Sequence, residues 1–166
     1  LGGHILVKDA ADGGTTFEVY LPRGVEMPKP STRAPELPDK RGHETLLIVE
    51  DDDLVCATLR RALEEAGYRV LAAADGALAL ALANEYPGTI DLLITDVIMP
   101  KLGGRQVAER LTAQRPGLRV LFVSGYLDQI VLPERISGVQ LHFLAKPYTL
   151  DTMLSTVRQL LDHPVR

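Results

Sequence analysis

Short apolar runs alternate with longer mixed stretches over the larger, C-terminal part of the chain. Five runs, at residues 46–49, 69–73, 92–95, 120–123 and 141–144, have the length and composition of buried strands. The stretches between them are long enough for one helix each. Strands that are apolar along their length and alternate with helices go into parallel sheets covered on both faces. The pattern predicts a doubly wound α/β domain of five βα units.

The last mixed stretch carries the clearest helical pattern. Thr149 precedes it in the N-cap position, and Asp151 falls in the first turn, where a negative charge is favourable. Apolar residues then recur every three or four positions, as on the buried face of an amphipathic helix: Leu150, Met153, Leu154, Val157, Leu160 and Leu161. We expect this helix to pack on the sheet.

The first 22 residues show a different pattern. Residues 15–21 alternate between apolar and polar side chains, residues 5–8 form a short apolar run, and an Asp-Gly-Gly sequence at 12–14 lies between them. This arrangement predicts a β-hairpin. Because a two-stranded hairpin is at best marginally stable alone, we interpret this segment as a fragment of a larger sheet.

Prolines cluster between the hairpin and the α/β domain. Five of the eleven prolines fall between residues 22 and 38, interspersed with charged side chains. Proline fixes φ and removes amide donors, and alternating charges keep a segment solvated, so this stretch predicts a semi-extended linker. The predicted organisation is a hairpin fragment over residues 1–22, a linker over 23–43 and the α/β domain over 44–163.

Composition and charge exclude several classes of protein. With 166 residues, 46% of them hydrophobic and 24% charged, the chain has the composition of a globular protein. The net charge of −4 falls in residues 44–166, which argues against a nucleic-acid partner. The single cysteine, Cys56, excludes an internal disulfide and a zinc ribbon. With no apolar run of membrane-spanning length and no export signal, we expect a cytoplasmic chain without membrane contact.

Polar side chains follow four of the five predicted strands. An acidic run beginning with Glu50 and Asp51 follows the first strand, Asp96 the third, Ser124 the fourth and Lys146 the fifth. The second strand, which contributes only Ala72, Ala73 and Ala74 at its end, is an edge strand in a sheet of order 2-1-3-4-5, whose ligands bind at the carboxyl ends of strands 1 and 3. Each residue alone has an ordinary structural explanation, but four matching strand ends favour a functional site.

The charges at these strand ends call for a cation. Carboxylates about 5 Å apart repel by roughly 3 kcal/mol per pair at an effective dielectric of ~20, and Lys146 neutralises only one of Glu50, Asp51 and Asp96. Clustered carboxylate oxygens suit Mg²⁺ or Mn²⁺, and no neighbouring Cys or His favours zinc. A metal beside a carboxylate, a hydroxyl and an ammonium is an arrangement suited to phosphoryl transfer. The carboxylate can act as the nucleophile, and the metal, hydroxyl and ammonium can stabilise the phosphoryl oxygens.

Four motifs at these positions resemble the receiver domains of two-component signalling. They are LIVEDD at residues 47–52, LITDVIMP at 93–100 followed by Gly104, VLFVSG at 120–125 and FLAKPY at 143–148, in the family's order and spacing. The resemblance covers the whole α/β domain. It implies a flavodoxin-like fold in which Asp96 accepts a phosphoryl group from a phosphohistidine.

The resemblance also implies the roles of the surrounding residues. Lys146 and Ser124 would hold the phosphoryl oxygens, and Ser124 with Phe143 would form a conformational switch. The Mg²⁺ ion would have these ligands: Asp51, Asp96, the backbone carbonyl of Ile98 and, through a water, Glu50.

Two positions depart from the family pattern, and one peptide bond is expected to follow it. Glu50 stands where Asp is commoner, and Gly103 where Asp, Asn or Ser is usual. Neither change removes a chemical role. The Lys146–Pro147 peptide bond is expected to be cis, as in the family.

The hairpin sequence resembles the end of a histidine kinase ATP-binding domain, over about 22 residues. This resemblance implies the C-terminal piece of a hybrid sensor kinase, a context that allows a membrane anchor in the parent protein. The piece lacks the kinase catalytic core and would at most catalyse its own phosphorylation and dephosphorylation. Its partner would be a histidine kinase dimerisation domain or a histidine phosphotransfer protein.

Two other functions compete with the receiver interpretation. A haloacid dehalogenase-like Mg²⁺-dependent phosphatase also uses an aspartate nucleophile, but it needs a second Asp two residues on, where this chain has Ile98. An FMN-binding protein of the same topology needs an uncharged, hydroxyl-rich phosphate loop after the first strand, where this chain has four consecutive acids that would repel the phosphate.

Overall fold

The structure, a computed structural model, describes residues 3–9, 13–21, 41–125, 135–136 and 139–162. The chain divides into two compact units, residues 1–37 and 38–166. In the first unit, strands β1 (His4–Asp9) and β2 (Thr15–Tyr20) pair antiparallel, as the alternating pattern predicts. Gly13 and Gly14, in the predicted turn, have φ angles of 84° and 123°, which glycine adopts without strain.

The second unit is built on one twisted sheet with helices on both faces. In chain order its elements are β3 (Thr45–Val49), α1 (Asp53–Glu65), β4 (Arg69–Ala73), α2 (Gly76–Glu85), β5 (Leu92–Asp96), α3 (Gly104–Gln114), β6 (Arg119–Ser124), β7 (Arg135–Ile136), β8 (Val139–Ala145) and α4 (Leu150–Asp162). The sheet order is β4-β3-β5-β6-β8-β7, and every pairing from β4 to β8 is parallel.

The five parallel strands confirm the predicted order 2-1-3-4-5. The pattern did not predict β7, a two-residue strand that pairs antiparallel with the outer edge of β8. The helix predicted between the fourth and fifth parallel strands falls mostly on residues 126–134, which lie outside the described residues. The Lys146–Pro147 peptide bond is cis, as expected.

Side chains that alternate along the strands fill two separate layers of core. On one face, Leu47, Leu93 and Phe122 pack under α2 and α3. On the other face, Ile48, Ile94 and Leu121 pack under α1 and α4. Of the apolar positions predicted on α4, Met153, Val157, Leu160 and Leu161 are buried and Leu154 is partly buried, whereas Leu150 is exposed. Because each strand is covered on both faces, its sequence is apolar throughout instead of alternating.

The cap of α4 is the one that the sequence predicts. The Thr149 hydroxyl accepts a hydrogen bond from the Thr152 amide at 3.1 Å, and Asp151 lies in the first turn. This cap, three residues after Lys146, sets where the helix begins. The start of α4 is therefore held next to the carboxyl edge of the sheet.

Candidate functional site

Four strand ends bring the predicted site residues to one edge of the sheet. Asp96 is the last residue of β5, at the centre of the sheet, and Ser124 is the last residue of β6. Lys146 directly follows β8, and its amide donates to the Ser124 carbonyl oxygen at 2.8 Å. Glu50 directly follows β3, and its amide donates to the carbonyl oxygen of Ala73 on the edge strand. The ladder hydrogen bonds thus continue into the site.

Lys146 joins the end of the central strand β5 to the end of its neighbour β3. Its ammonium donates to Asp96 Oδ2 at 2.8 Å and to Glu50 Oε2 at 3.2 Å. Burial would lower the pKa of Lys146, but the hydrogen bond to Asp96 and the charge of Glu50 outweigh it and raise that pKa above its usual value. The lysine is therefore held as a cation between two carboxylates.

The two oxygens of Asp96 have different partners. Oδ2 accepts from Lys146, and Oδ1 accepts from the backbone amide of Ile98 at 2.9 Å. Two fixed donors therefore set the orientation of this carboxylate. Its side chain remains 16% exposed, so a reactant can reach it from outside.

The four acidic residues after β3 differ in burial and in their position relative to α1. Glu50 is buried, and its Oε1 lies 3.4 Å from the Asp52 amide. Asp51 is exposed. Asp52 is the N-cap of α1, accepting from the Leu54 and Val55 amides at 2.9 and 3.0 Å, and Asp53 is the first residue of the helix.

The sequence interpretation missed the capping role of Asp52. The signal was present, because an Asp immediately before a helical apolar pattern is a preferred N-cap. The cap fixes where α1 begins. It thereby separates the two acids before it, Glu50 and Asp51, from the one inside the helix.

Ser124 and Phe143 lie on neighbouring strands beside this cluster. Ser124 is buried, with 2% exposure, whereas Phe143 is 39% exposed and its ring stacks on that of Phe122. Cys56 and His142 are half-buried. Cys56 packs against the core layer under α1 and α4.

The donor chemistry of the edge fits a hard divalent cation. The acidic side chains at this edge offer carboxylate oxygens as ligands. In the described parts of the chain, no three His, Cys, Asp or Glu side chains lie close enough together to form a complete metal site by themselves. Mg²⁺ keeps several waters and needs only one or two carboxylates from the protein, so a complete cage is not required. The side-chain oxygens of Asp51 and Asp96 are of the type that Mg²⁺ prefers.

An apolar cleft of about 540 Å³ opens beside Lys146. It lies between α1 and the start of α4, and its walls include two exposed leucines, Leu54 at 77% and Leu150 at 43% exposure. The remaining lining residues are Val55, Thr58, Leu59, Lys146, Pro147 and Tyr148.

A family model described as "Response regulator receiver domain" matches residues 46–158. The chain belongs to this family. A curated relative, the response regulator receiver protein CpdR of Brucella abortus, is 32% identical over 116 residues, which are 70% of this chain and 95% of CpdR. The sensor kinase CckA of the same organism is 34% identical over 173 residues. That match covers 97% of this chain but only 18% of the kinase.

Solved structures show the same receiver fold. The receiver domain of the hybrid histidine kinase CckA shares 39% identity, with a TM-score of 0.60 over 71% of this chain and 99% of that domain. The chemotaxis protein CheY4 of Vibrio cholerae shares 28% identity, with a TM-score of 0.61 over 72% of this chain and all of CheY4. The chain thus contains a phosphoacceptor receiver module of two-component signalling, and the phosphatase alternative is not favoured.

No helix in the described ranges combines the length and the apolar character needed to cross a bilayer.

Proposed function

We propose that Asp96 is the residue of this receiver domain that accepts the phosphoryl group, from a phosphohistidine of a partner protein. One observation carries the assignment: Asp96 lies at the central strand end, 2.8 Å from the Lys146 ammonium, with its carboxylate oriented by a second donor. Ser124 ends the next strand and offers a hydroxyl.

The proposed reaction exchanges one bond to phosphorus for another. A carboxylate oxygen of Asp96 attacks phosphorus, the new P–O bond forms, and the P–N bond to the imidazole breaks, leaving its electron pair on the nitrogen. Negative charge stays on the phosphoryl oxygens. The Lys146 ammonium and the Ser124 hydroxyl neutralise and bind these oxygens, which stabilises the transferred group.

A Mg²⁺ or Mn²⁺ ion is part of this proposal. Asp51 and Asp96 would hold it with the backbone carbonyl of Ile98, and Glu50 would contact it through a water. When bound, the ion neutralises charge that develops on the phosphoryl oxygens. The buried Glu50, already paired with Lys146, is better placed to orient that lysine and a water than to bind the ion directly.

The apolar cleft supports a histidine-bearing helical partner. Leu54 and Leu150 are too exposed to contribute much to the core, and they rim a cleft that adjoins Lys146. Helix-in-groove recognition uses apolar anchors of this kind. The partner we propose is a histidine kinase dimerisation/phosphotransfer domain or a histidine phosphotransfer protein, whose apolar helix face would fill the cleft while its phosphohistidine reaches Asp96.

We further propose that the chain is part of a hybrid sensor histidine kinase. The match to the CckA sensor kinase covers 97% of the chain, whereas CpdR, a receiver protein, matches 70%. The hairpin supports this context, because Ile5, Val7, Phe17 and Val19 share one face and are each about 60% exposed or more. In this proposal residues 1–22 end the kinase ATP-binding domain, 23–43 form a linker and 44–163 form the receiver.

Intact mass spectrometry after incubation with acetyl phosphate and Mg²⁺ tests the phosphoacceptor assignment. The unmutated chain should gain one phosphoryl group and Asp96→Asn should gain none. Asp53→Asn, which changes a neighbouring acid inside α1, is the control and should still be phosphorylated. Undiminished uptake by Asp96→Asn would reject the assignment.

The partner proposal has its own test. Leu54→Asp places a charge on the rim of the cleft and should slow phosphoryl transfer from a phosphorylated histidine phosphotransfer protein at least tenfold. Its uptake from acetyl phosphate, which needs no docking, should be unchanged. The exposed Leu78 of α2 offers a control, since Leu78→Asp should leave both rates unchanged. Equal rates of protein-mediated transfer in the two variants would exclude the cleft as the docking surface.

A further inference from the structure

A second polar cluster lies where the chain enters the receiver domain. It is near the C-terminal end of α4, at the opposite end of the helix from the Thr149 cap. Arg158, in the last turns of α4, donates to Glu44 through both terminal nitrogens, at 2.7 and 3.2 Å. It also donates to the Tyr68 hydroxyl and to the Arg41 carbonyl oxygen, each at 3.3 Å. We call Arg41, Glu44, Tyr68 and Arg158 the junction clasp.

Three members of the junction clasp are largely shielded from water, whereas Arg41 is exposed. The side chains of Arg158 and Glu44 are 12% and 18% exposed, and Tyr68 is 3% exposed. The guanidinium lies 6.0 Å from the centre of the Tyr68 ring, within reach of a cation–π contact. A bidentate pair with this little exposure is stronger and more dependent on geometry than a surface ion pair.

Two glycines allow the entering backbone to lie against the domain. The Gly42 amide donates to the Ala66 carbonyl oxygen at 3.1 Å, and a Cβ at Gly42 would overlap the Tyr68 ring. Gly67 has a φ of 95°, and a Cβ there would lie 2.6 Å from the Gly42 carbonyl oxygen. The path of the entering chain therefore depends on close backbone contact as well as on Arg158.

Helix α4 connects this clasp to the phosphoacceptor edge. The helix begins at Leu150, four residues after Lys146, which Asp96 and Glu50 hold in place. Arg158 lies about 12 Å further along the helix axis, at 1.5 Å per residue. Helix shifts in switching proteins are typically translations of about 1–2 Å. The two hydrogen bonds of 3.3 Å are already near the upper limit, so a shift of that size would break them.

The geometry points to the junction clasp as a device that couples phosphorylation of Asp96 to the segment preceding the receiver domain. In the structure all the hydrogen bonds of the junction clasp are formed, and Lys146 pairs directly with the Asp96 carboxylate. Phosphorylation redirects Lys146 to the phosphoryl oxygens, displaces α4 and loosens the clasp. Reciprocity then requires that weakening the clasp favours the phosphorylated form. This inference rests on the proposed role of Asp96.

The test uses the full 166-residue chain, with beryllofluoride and Mg²⁺ as the phosphoryl probe and NMR as the readout. Addition of the probe should shift the side-chain N–H signals of Arg158 and the amide of Gly42, as well as the amide of Ile98 at the site. Glu44→Gln, which keeps size but removes the charge, should bind the probe about fivefold more tightly. Arg158→Lys, which cannot form the bidentate pair, should do the same.

Glu64→Gln is the matched control, because Glu64 pairs with Arg60 on the exposed surface of α1 at 2.8 Å. Its affinity for beryllofluoride should equal that of the unmutated chain. Thermal melts establish that each variant is folded. If Ile98 responds while Arg158 and Gly42 do not, or if Glu44→Gln binds the probe equally or more weakly, the coupling is wrong and the role of Asp96 stands. If Ile98 itself does not respond, both proposals fail.

Discussion

Phe122 and Phe143 lie directly opposite each other on β6 and β8, with ring centroids 5.7 Å apart and planes inclined by 25°. Phe122 is completely buried, whereas Phe143 is 39% exposed. Ser124, two residues after Phe122, points to the same face of the sheet because side chains alternate along a strand. The stack therefore joins the buried core to a surface ring beside a candidate phosphoryl ligand.

This relationship predicts that phosphorylation of Asp96 changes the conformation of Phe143 through Ser124. An aspartyl phosphate at Asp96 would attract the Ser124 hydroxyl, and the space this vacates would admit Phe143 by rotation. Ser124→Ala should still accept phosphate, but beryllofluoride should no longer produce the chemical-shift changes at Phe143 that it produces in the unmutated chain. Ser155→Ala on α4 is the control and should respond normally. Normal Phe143 changes in Ser124→Ala would mean that the hydroxyl is not the coupling element.

The acidic run predicts a selective effect on metal binding. Asp51→Asn removes a proposed Mg²⁺ ligand and should weaken Mg²⁺ binding by about tenfold or more, or roughly 1.4 kcal/mol. Asp53→Asn changes the charge equally but lies inside α1, after the Asp52 cap, and should have a much smaller effect. Mg²⁺ titrations followed by the Ile98 amide signal compare the two. Equal weakening would indicate a diffuse negative patch instead of a site.

Close packing predicts that Gly104 does not tolerate a side chain. A Cβ there would overlap the Asp96 carbonyl oxygen and lie 2.6 Å from Thr95 Oγ1. Gly104→Ala should lower the free energy of unfolding by about 1–3 kcal/mol and slow phosphoryl uptake, since β5 must move. At Gly103 the nearest atom is 3.3 Å away, so Gly103→Ala should cost less than about 1 kcal/mol. Urea unfolding measures both, and similar losses would contradict the packing argument.

The junction clasp predicts a pH dependence of stability. Burial would raise the pKa of Glu44, but hydrogen bonds from Arg158 and from the amides of Glu44 and His43 outweigh it and lower that pKa from 4.5 to about 2. A lowered pKa in the folded state means that stability is fully present above pH 4.5 and is lost as the pH falls towards about 2. The loss should amount to roughly 2–3 kcal/mol.

Glu44→Gln should therefore be less stable at neutral pH but lose less stability in acid than the unmutated chain. Urea unfolding at a series of pH values between about 6 and 2 measures this difference. Glu64→Gln on the exposed surface of α1 should keep the acid dependence of the unmutated chain. An acid dependence in Glu44→Gln identical to that of the unmutated chain would show that Glu44 does not carry the effect.

The apolar pattern determined the layered fold. Five fully apolar runs separated by helical stretches require a parallel sheet covered on both faces, because a strand with one solvated face would alternate. The right-handed crossover rule then limits the strand order, and polar residues at four strand ends meet at one edge. Asp96, Lys146, Ser124 and Glu50 could thus be selected from the sequence alone.

The tertiary structure decided the features that depend on contacts distant in the chain. Strand β7 covers the outer edge of β8 although two residues carry no periodic signal. The pairing of Arg158 with Glu44 joins residues 114 positions apart, and each looks like an ordinary surface charge in the sequence. Periodicity reports which face of an element is buried, but it does not report which charged side chains meet when those faces pack. That choice is made only when the whole domain has folded.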